Sequence, residues 1–199
     1  MKKIQEFIIN LFRKNIFLKS TIRQISVTLK KDYPNIYNSI KELEDEKILN
    51  LEKFGNSIMC SLNMDQKTIS LLAFLDEQEA FNQKIPHINK ILDFKDFYND
   101  ILIVTGSYAS GKQTKVSDLD LVLITKEKAF EKQKLIDNLT SLMLHKIHTS
   151  VFTYNDFIAM LLDKKPNFGK EIFNNRLIFR NTSNYYILIK EAIENGFRG

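Results

Sequence analysis

Apolar side chains mark the first elements of the chain. Ile4, Phe7, Ile8, Leu11 and Phe12 recur at spacings of three and four or their neighbours, the period of one face of an amphipathic helix. A shorter second helix is predicted after Ser20 and Thr21, whose hydroxyls suit an N-cap, with Ile22, Ile25 and Leu29 on one face. Lys30-Lys31-Asp32 makes the turn. Asp32 then caps a third helix over about 34–47, and Pro34 fits its first turn because a missing backbone N–H loses no hydrogen bond there. Ile36, Ile40 and Leu43 run down its inner face, with Ile48 and Leu49 packing as it ends.

Residues 51–54 and 57–62 flank Gly55-Asn56, the pattern of two strands and a tight turn. Three helices and a small hairpin predict a winged helix-turn-helix domain over residues 1–63. Residues 64–96 show helical stripes (Ile69, Leu72, Leu75) and the helix breaker Pro86, and are read as a connector. From 97 to 199 the pattern changes. Residues 101–104 (Ile-Leu-Ile-Val) and 119–124 are short apolar strands, 127–145 a helix carrying Phe130, Leu135, Leu139 and Leu142, and 146–154 a third strand. Helices are expected around 155–164, 169–175 and 183–195. Strands alternating with helices indicate a mixed α/β domain.

Composition narrows the class. Of 199 residues, 44% are hydrophobic and 27% charged, an ordinary globular balance with no apolar run long enough to span a bilayer. The first ten residues mix polar and apolar positions without a small-residue cleavage site, so a cytoplasmic protein with no membrane partner is expected. One cysteine excludes an internal disulfide, and three histidines without further thiols exclude zinc-type spacing. The formal net charge is +5. Residues 1–60 carry eleven Lys/Arg against seven Asp/Glu, so most of that excess lies in the first third, where it points to a polyanion such as nucleic acid or to solvated helix faces.

The chemistry concentrates in Gly106-Ser107-Tyr108-Ala109-Ser110-Gly111-Lys112-Gln113-Thr114-Lys115-Val116-Ser117-Asp118-Leu119-Asp120. Glycine directly after a strand lets backbone approach a ligand closely, and the N–H groups that follow form a concavity suited to phosphate. Asp118 and Asp120 are two apart, so in a strand they project from one face while Leu119 and Leu121 enter the other. Two convergent carboxylates beside a phosphate cradle suit magnesium, which completes its octahedron with water and substrate phosphates. Lys112 and Lys115 are placed to meet phosphate oxygens or simply to be solvated.

This Gly-Ser, second glycine and Ser-Asp-x-Asp order resembles the signature of the DNA polymerase beta-like nucleotidyltransferase superfamily, over about sixteen residues. The resemblance implies an α/β (α+β) nucleotidyltransferase core with a small mixed sheet and flanking helices, behind the winged helix-turn-helix domain. It also implies that Gly106, Ser107, Lys112 and Ser117 hold a nucleoside triphosphate such as ATP, and that Asp118 and Asp120 hold Mg2+ and are catalytic. The family adds a third carboxylate on a later strand. Here that strand, 146–154, contains no acid, and His148 falls about where the acid is expected. A histidine can act as a base near neutral pH but does not supply the negative charge that balances a second metal ion. Asp137, within a helix, and Asp156, at the start of the next, are assigned no catalytic role.

In the first sixty residues the recognition helix would be 34–47, with Asn35, Tyr37, Asn38 and Lys41 facing out and Arg23, Lys30 and Lys31 available for DNA phosphates. Glu42, Glu44, Asp45 and Glu46 would repel a DNA backbone at its far end. Three functions fit these readings. One is a nucleotidyltransferase moving a nucleoside monophosphate from Mg-NTP to a protein, RNA or small-molecule hydroxyl. Some small prokaryotic members of the family that the chain resembles act as antitoxins that modify a partner toxin, so a protein acceptor is among the expectations. The others are a DNA-binding regulator with a nucleotide-sensing core and an interaction scaffold with a relic site.

Overall fold

The computed structural model describes residues 1–199, which divide into two compact units, Met1–Leu72 and Ala73–Gly199. The first unit runs α1 (Lys3–Lys14), β1 (Ser20–Thr21), α2 (Ile22–Leu29), α3 (Tyr33–Asp45), β2 (Leu49–Phe54) and β3 (Ser57–Leu62), and α4 (Gln66–Phe81) contains the division. Thr21 caps α2 reciprocally: its hydroxyl accepts from the Gln24 N–H (3.2 Å), and its own N–H donates to Gln24 Oε1 (2.8 Å). Asp32 caps α3 through the Asn35 N–H at 3.3 Å. Both caps sit where the sequence places them. Of the expected stripes, Ile22, Ile25, Ile36, Ile40 and Leu43 are buried, Leu29 is half-buried, and Phe7 of α1 is exposed.

The hairpin pairs Leu49 with Leu62 through to Phe54 with Ser57, so its first strand begins two residues earlier than the apolar pattern suggests. Ser20 and Thr21 add a short third strand against Cys60 and Met59, giving the order β1-β3-β2. A two-residue strand carries no readable period, which is why it looks like a cap alone in the sequence.

The second unit continues with α5 (Ile88–Leu92), a 3-10 turn at Lys95–Phe97, β4 (Ile101–Thr105), α6 (Gly106–Ala109), β5 (Leu119–Thr125), α7 (Ala129–Ser141), β6 (Ile147–Thr153), α8 (Tyr154–Leu162), α9 (Phe168–Asn174), β7 (Leu177–Arg180) and α10 (Thr182–Glu194). Its sheet is mixed, in the order β6-β5-β4-β7. β4 is antiparallel to both β5 and β7, and β5 is parallel to β6. β4 is buried throughout, and in β5 only Asp120 is not, as central strands covered on both faces require. The fourth strand, β7, has only four residues between two helices, too few for its period to stand out.

α7 corrects the sequence reading. It ends at Ser141, four residues before the expected end, and Leu142 is 89% exposed. Its inward face carries Ile136 and Thr140, with Leu135 and Leu139 partly buried, while Phe130 lies outside under the Lys134 ammonium. Polar groups dock this helix on the sheet. Lys132 Nζ donates to both oxygens of buried Asp100 (2.6 and 2.7 Å), and Gln133 bonds Thr149 Oγ1 (2.8 Å) and the Val151 N–H (2.9 Å). No helix is long and apolar enough to cross a membrane.

Candidate functional site

Strand β4 delivers the chain to Gly106, which has φ +68° and opens α6. Thr105 pairs with Asp120 across the antiparallel β4–β5 ladder, so the Asp120 carboxylate lies against the Gly106 backbone. A Cβ built on Gly106 would stand 2.1 Å from Asp120 Oδ2. Both the left-handed φ and this contact demand glycine. Ser107 follows in α6, and its carbonyl accepts from Ser110 Oγ (3.1 Å) and the Lys112 N–H (2.9 Å), which curls the loop back over itself. The Lys112 side chain is exposed. The Ser117 hydroxyl accepts from the Thr114 N–H at 2.8 Å, so it shapes the loop leading to Asp118.

Asp118 precedes β5 by one residue and Asp120 lies within it. Parallel pairing sets Asp120 beside His148. His148 reaches both carboxylates, Nε2 at 3.5 Å from Asp118 Oδ2 and Nδ1 at 3.6 Å from Asp120 Oδ1. Lys146 Nζ donates to Asp118 Oδ2 at 2.9 Å. That hydrogen bond, helped by the nearby Lys146, His148 and His145, holds the Asp118 carboxyl below the usual carboxylate range, against the opposing effect of burial.

Other acids are turned elsewhere. Asp137 bonds Gln133 and Thr149, on the face of β6 opposite His148, and Asp156 caps α8 through Thr153. No group of three or more Asp, Glu, His or Cys side chains is arranged to hold a metal ion. Two carboxylates are nevertheless the oxygen set that magnesium takes from protein while keeping waters and phosphates as its other ligands. No third acid stands beside the pair.

Two contacts escaped the sequence. Asn175, at the end of α9, donates from Nδ2 to the Gly106 carbonyl (2.8 Å), while its own carbonyl accepts from Thr105 Oγ1 (2.6 Å). These bonds clamp the strand-to-cradle corner from 69 and 70 residues away in sequence. Tyr108, buried in α6, meets His145 Nε2 through its hydroxyl at 3.2 Å.

With strand, glycine and Asp pair assembled this way, the comparison with known families bears on this segment. Residues 85–179 match the family described as nucleotidyltransferase domain. The matched segment carries every residue of the cradle, both aspartates, Lys146, His148 and Asn175. No curated protein matches the chain significantly. Among solved structures, a Lactococcus lactis ZitR mutant in apo form is similar at 16% identity, over 70% of this chain and 78% of its own, with a TM-score of 0.31. That score is too low to inform the fold of either unit.

In the first unit, Arg23, Lys30, Lys31, Asn35 and Asn38 are exposed, and Tyr37 and Lys41 are half-buried. Lys30 ends α2 in the left-handed region at φ +52°. Lys41 is engaged with Glu44 at 2.7 Å, and Tyr37 stacks on Tyr33 with ring centroids 6.1 Å apart. Arg23 and Tyr33 line a surface cavity of about 610 Å³ that also includes Ser57 and Ile58 of the hairpin.

Proposed function

We propose that the nucleotidyltransferase domain binds a magnesium-bound nucleoside triphosphate and transfers its nucleoside monophosphate to an acceptor hydroxyl. The observation that carries this reading is the Asp120 carboxylate seated on Gly106, with Asp118 two residues before it and His148 in register beside it. Gly106 keeps backbone low enough for phosphate to approach, and Ser107 and Lys112 supply a hydroxyl and an ammonium to its oxygens. Ser117 holds the loop that presents Asp118. Magnesium, when bound by Asp118 and Asp120, would offset the charge that builds on the phosphates.

In the transfer, the acceptor oxygen forms a bond to the α-phosphorus while the bond from that phosphorus to the bridging oxygen breaks, and pyrophosphate leaves. The acceptor's proton goes to the His148 imidazole, the base nearest the carboxylates. Protein side chains, including one on a partner toxin, RNA ends and small molecules all offer such a hydroxyl.

A second reading draws on one specific observation, the absence of a third carboxylate beside Asp118 and Asp120. In it the domain senses nucleotide without turnover, and the first unit acts as a winged helix that binds DNA. Exposed Asn35 and Asn38 on α3 and the cationic side chains of Arg23, Lys30 and Lys31, the last lying over the Phe7 ring, support that role. Calorimetric titration with each NTP, with and without magnesium, tests the shared premise, using the Asp118→Asn plus Asp120→Asn protein as control. Magnesium-dependent binding lost in the control is expected, and no binding in either protein overturns both readings. Release of pyrophosphate from Mg-NTP in the presence of acceptor separates them, and salt-steep DNA binding without turnover favours the regulator.

A further inference from the structure

The start of β6 brings an ammonium and an imidazole to the carboxylates where a third acid would be expected. Lys146 precedes β6 by one residue and His148 lies within it, beside Asp120 of parallel β5, and both side chains reach the aspartates. Lys146 reaches Asp118 at 2.9 Å, and His148 touches both acids at 3.5 and 3.6 Å. His145 turns instead to Tyr108 of the cradle.

The anchoring of Lys146 is uneven along its length. Its carbonyl accepts from the Leu119 N–H at 3.0 Å, between the two aspartates, so its backbone is pinned to the site. Its side chain is 69% exposed and rests on the protein through its ammonium's bond to Asp118, itself 33% exposed. A fixed root with a solvated, four-carbon stem lets the ammonium leave Asp118 without disturbing the sheet.

We infer that Lys146 is a built-in counter-ion that keeps a bare divalent cation off Asp118 and yields the carboxylate when metal arrives with a triphosphate. The inference rests on the Mg-NTP reading of the site. A lone cation must displace or sit beside an ammonium that already neutralises one of its two ligands. A metal–triphosphate complex brings phosphate oxygens to which the same ammonium can turn. Metal and nucleotide therefore bind with positive coupling, and Lys146 is the source of part of it. It acts as a positioning residue, through Asp118.

The test is Mn2+ titration followed by the electron paramagnetic resonance signal of the free ion, with no nucleotide present, on the full chain and on its Lys146→Met and Lys146→Arg variants. A neighbouring unit charge near a divalent ion at an exposed site changes its affinity by about three- to tenfold. Lys146→Met is expected to bind Mn2+ tighter by that factor and Lys146→Arg to stay at the original value. Equal or weaker Mn2+ binding by Lys146→Met, or no nucleotide-free binding by any of the three, overturns the inference. Calorimetry of the same proteins with each of the four Mg-NTPs keeps the two readings apart. If Mg-NTP binds while Lys146→Met leaves Mn2+ affinity unmoved, the counter-ion idea alone fails. If no Mg-NTP binds to any of them, the nucleotide site fails and the inference with it.

Discussion

Gly106→Ala probes the corner on which the site is built, and a matched substitution isolates its effect. Gly106 and Gly111 have nearly the same left-handed φ, +68° and +69°, but a Cβ on Gly111 meets nothing within 4 Å while one on Gly106 stands 2.1 Å from Asp120 Oδ2. Both alanines incur the left-handed penalty, about 1–2 kcal/mol. Only Gly106→Ala must also drive the Asp120 carboxylate back by at least about 1.3 Å, from 2.1 Å to the 3.4 Å where ordinary contact begins. An off-rotamer aspartate adds about 0.5–1.5 kcal/mol, so Gly106→Ala is expected to be the less stable protein by that margin. On the proposed function, displacing one of the two carboxylates assigned to magnesium also lowers Mg-NTP affinity by at least about tenfold, near 1.4 kcal/mol. Urea unfolding of the two variants measures the first quantity and calorimetry the second. Equal stabilities for the pair, or full Mg-NTP affinity in Gly106→Ala, would refute the claim that Asp120 is seated on Gly106.

Three further outcomes follow from contacts around the site. Asn175→Ala leaves the Gly106 carbonyl without its 2.8 Å donor and should lower the urea midpoint by the equivalent of about 1–2 kcal/mol, with weakened Mg-NTP binding as the cradle loosens; an unchanged midpoint would show that water replaces the clamp. Lys132→Met strands Asp100, whose side chain is 2% exposed, as an unpaired buried carboxylate, and thermal unfolding should register a loss of about 3–5 kcal/mol, partly recovered by adding Asp100→Asn. Thr153→Ala removes the α8 cap at a cost of about 1 kcal/mol near neutral pH. Because Thr153 holds Asp156 below its ordinary pKa of 3.8, the stability that this bond contributes is present above that value and lost as pH falls through the lower folded value. The gap between Thr153→Ala and the parent should therefore narrow in acid, and a gap constant with pH in chemical unfolding would count against the ionic share of the cap.

Local signals carried well through the sequence. The stripes of α2 and α3, their caps at Thr21 and Asp32, the hairpin around Gly55 and Asn56, and the strand-glycine-strand run with its Asp pair are all written in spacings of two to four residues, the range over which helices and strands impose their periods. The grouping of Gly106, Asp118 and Asp120 was legible for the same reason: the residue types and their order lie within one short segment.

What brings the site together is not local. Asp120 meets Gly106 because β4 and β5 pair antiparallel, and it meets His148 because β5 and β6 pair parallel. No period within a strand reports its partner or direction. The brief β7, the Asn175 clamp and the Lys146 ammonium on Asp118 depend on that pairing, across 69 residues in one case and 28 in another. Phe130 and Leu142 make the same point in reverse: both are apolar at near-helical spacing, yet α7 is turned by the Lys132–Asp100 and Gln133–Thr149 bonds and stops before Leu142. By itself the sequence determined which chemical groups this protein carries and which elements hold them. Only tertiary pairing decided which of those groups share a face, because that choice is made by burial and hydrogen bonding between strands distant in the chain.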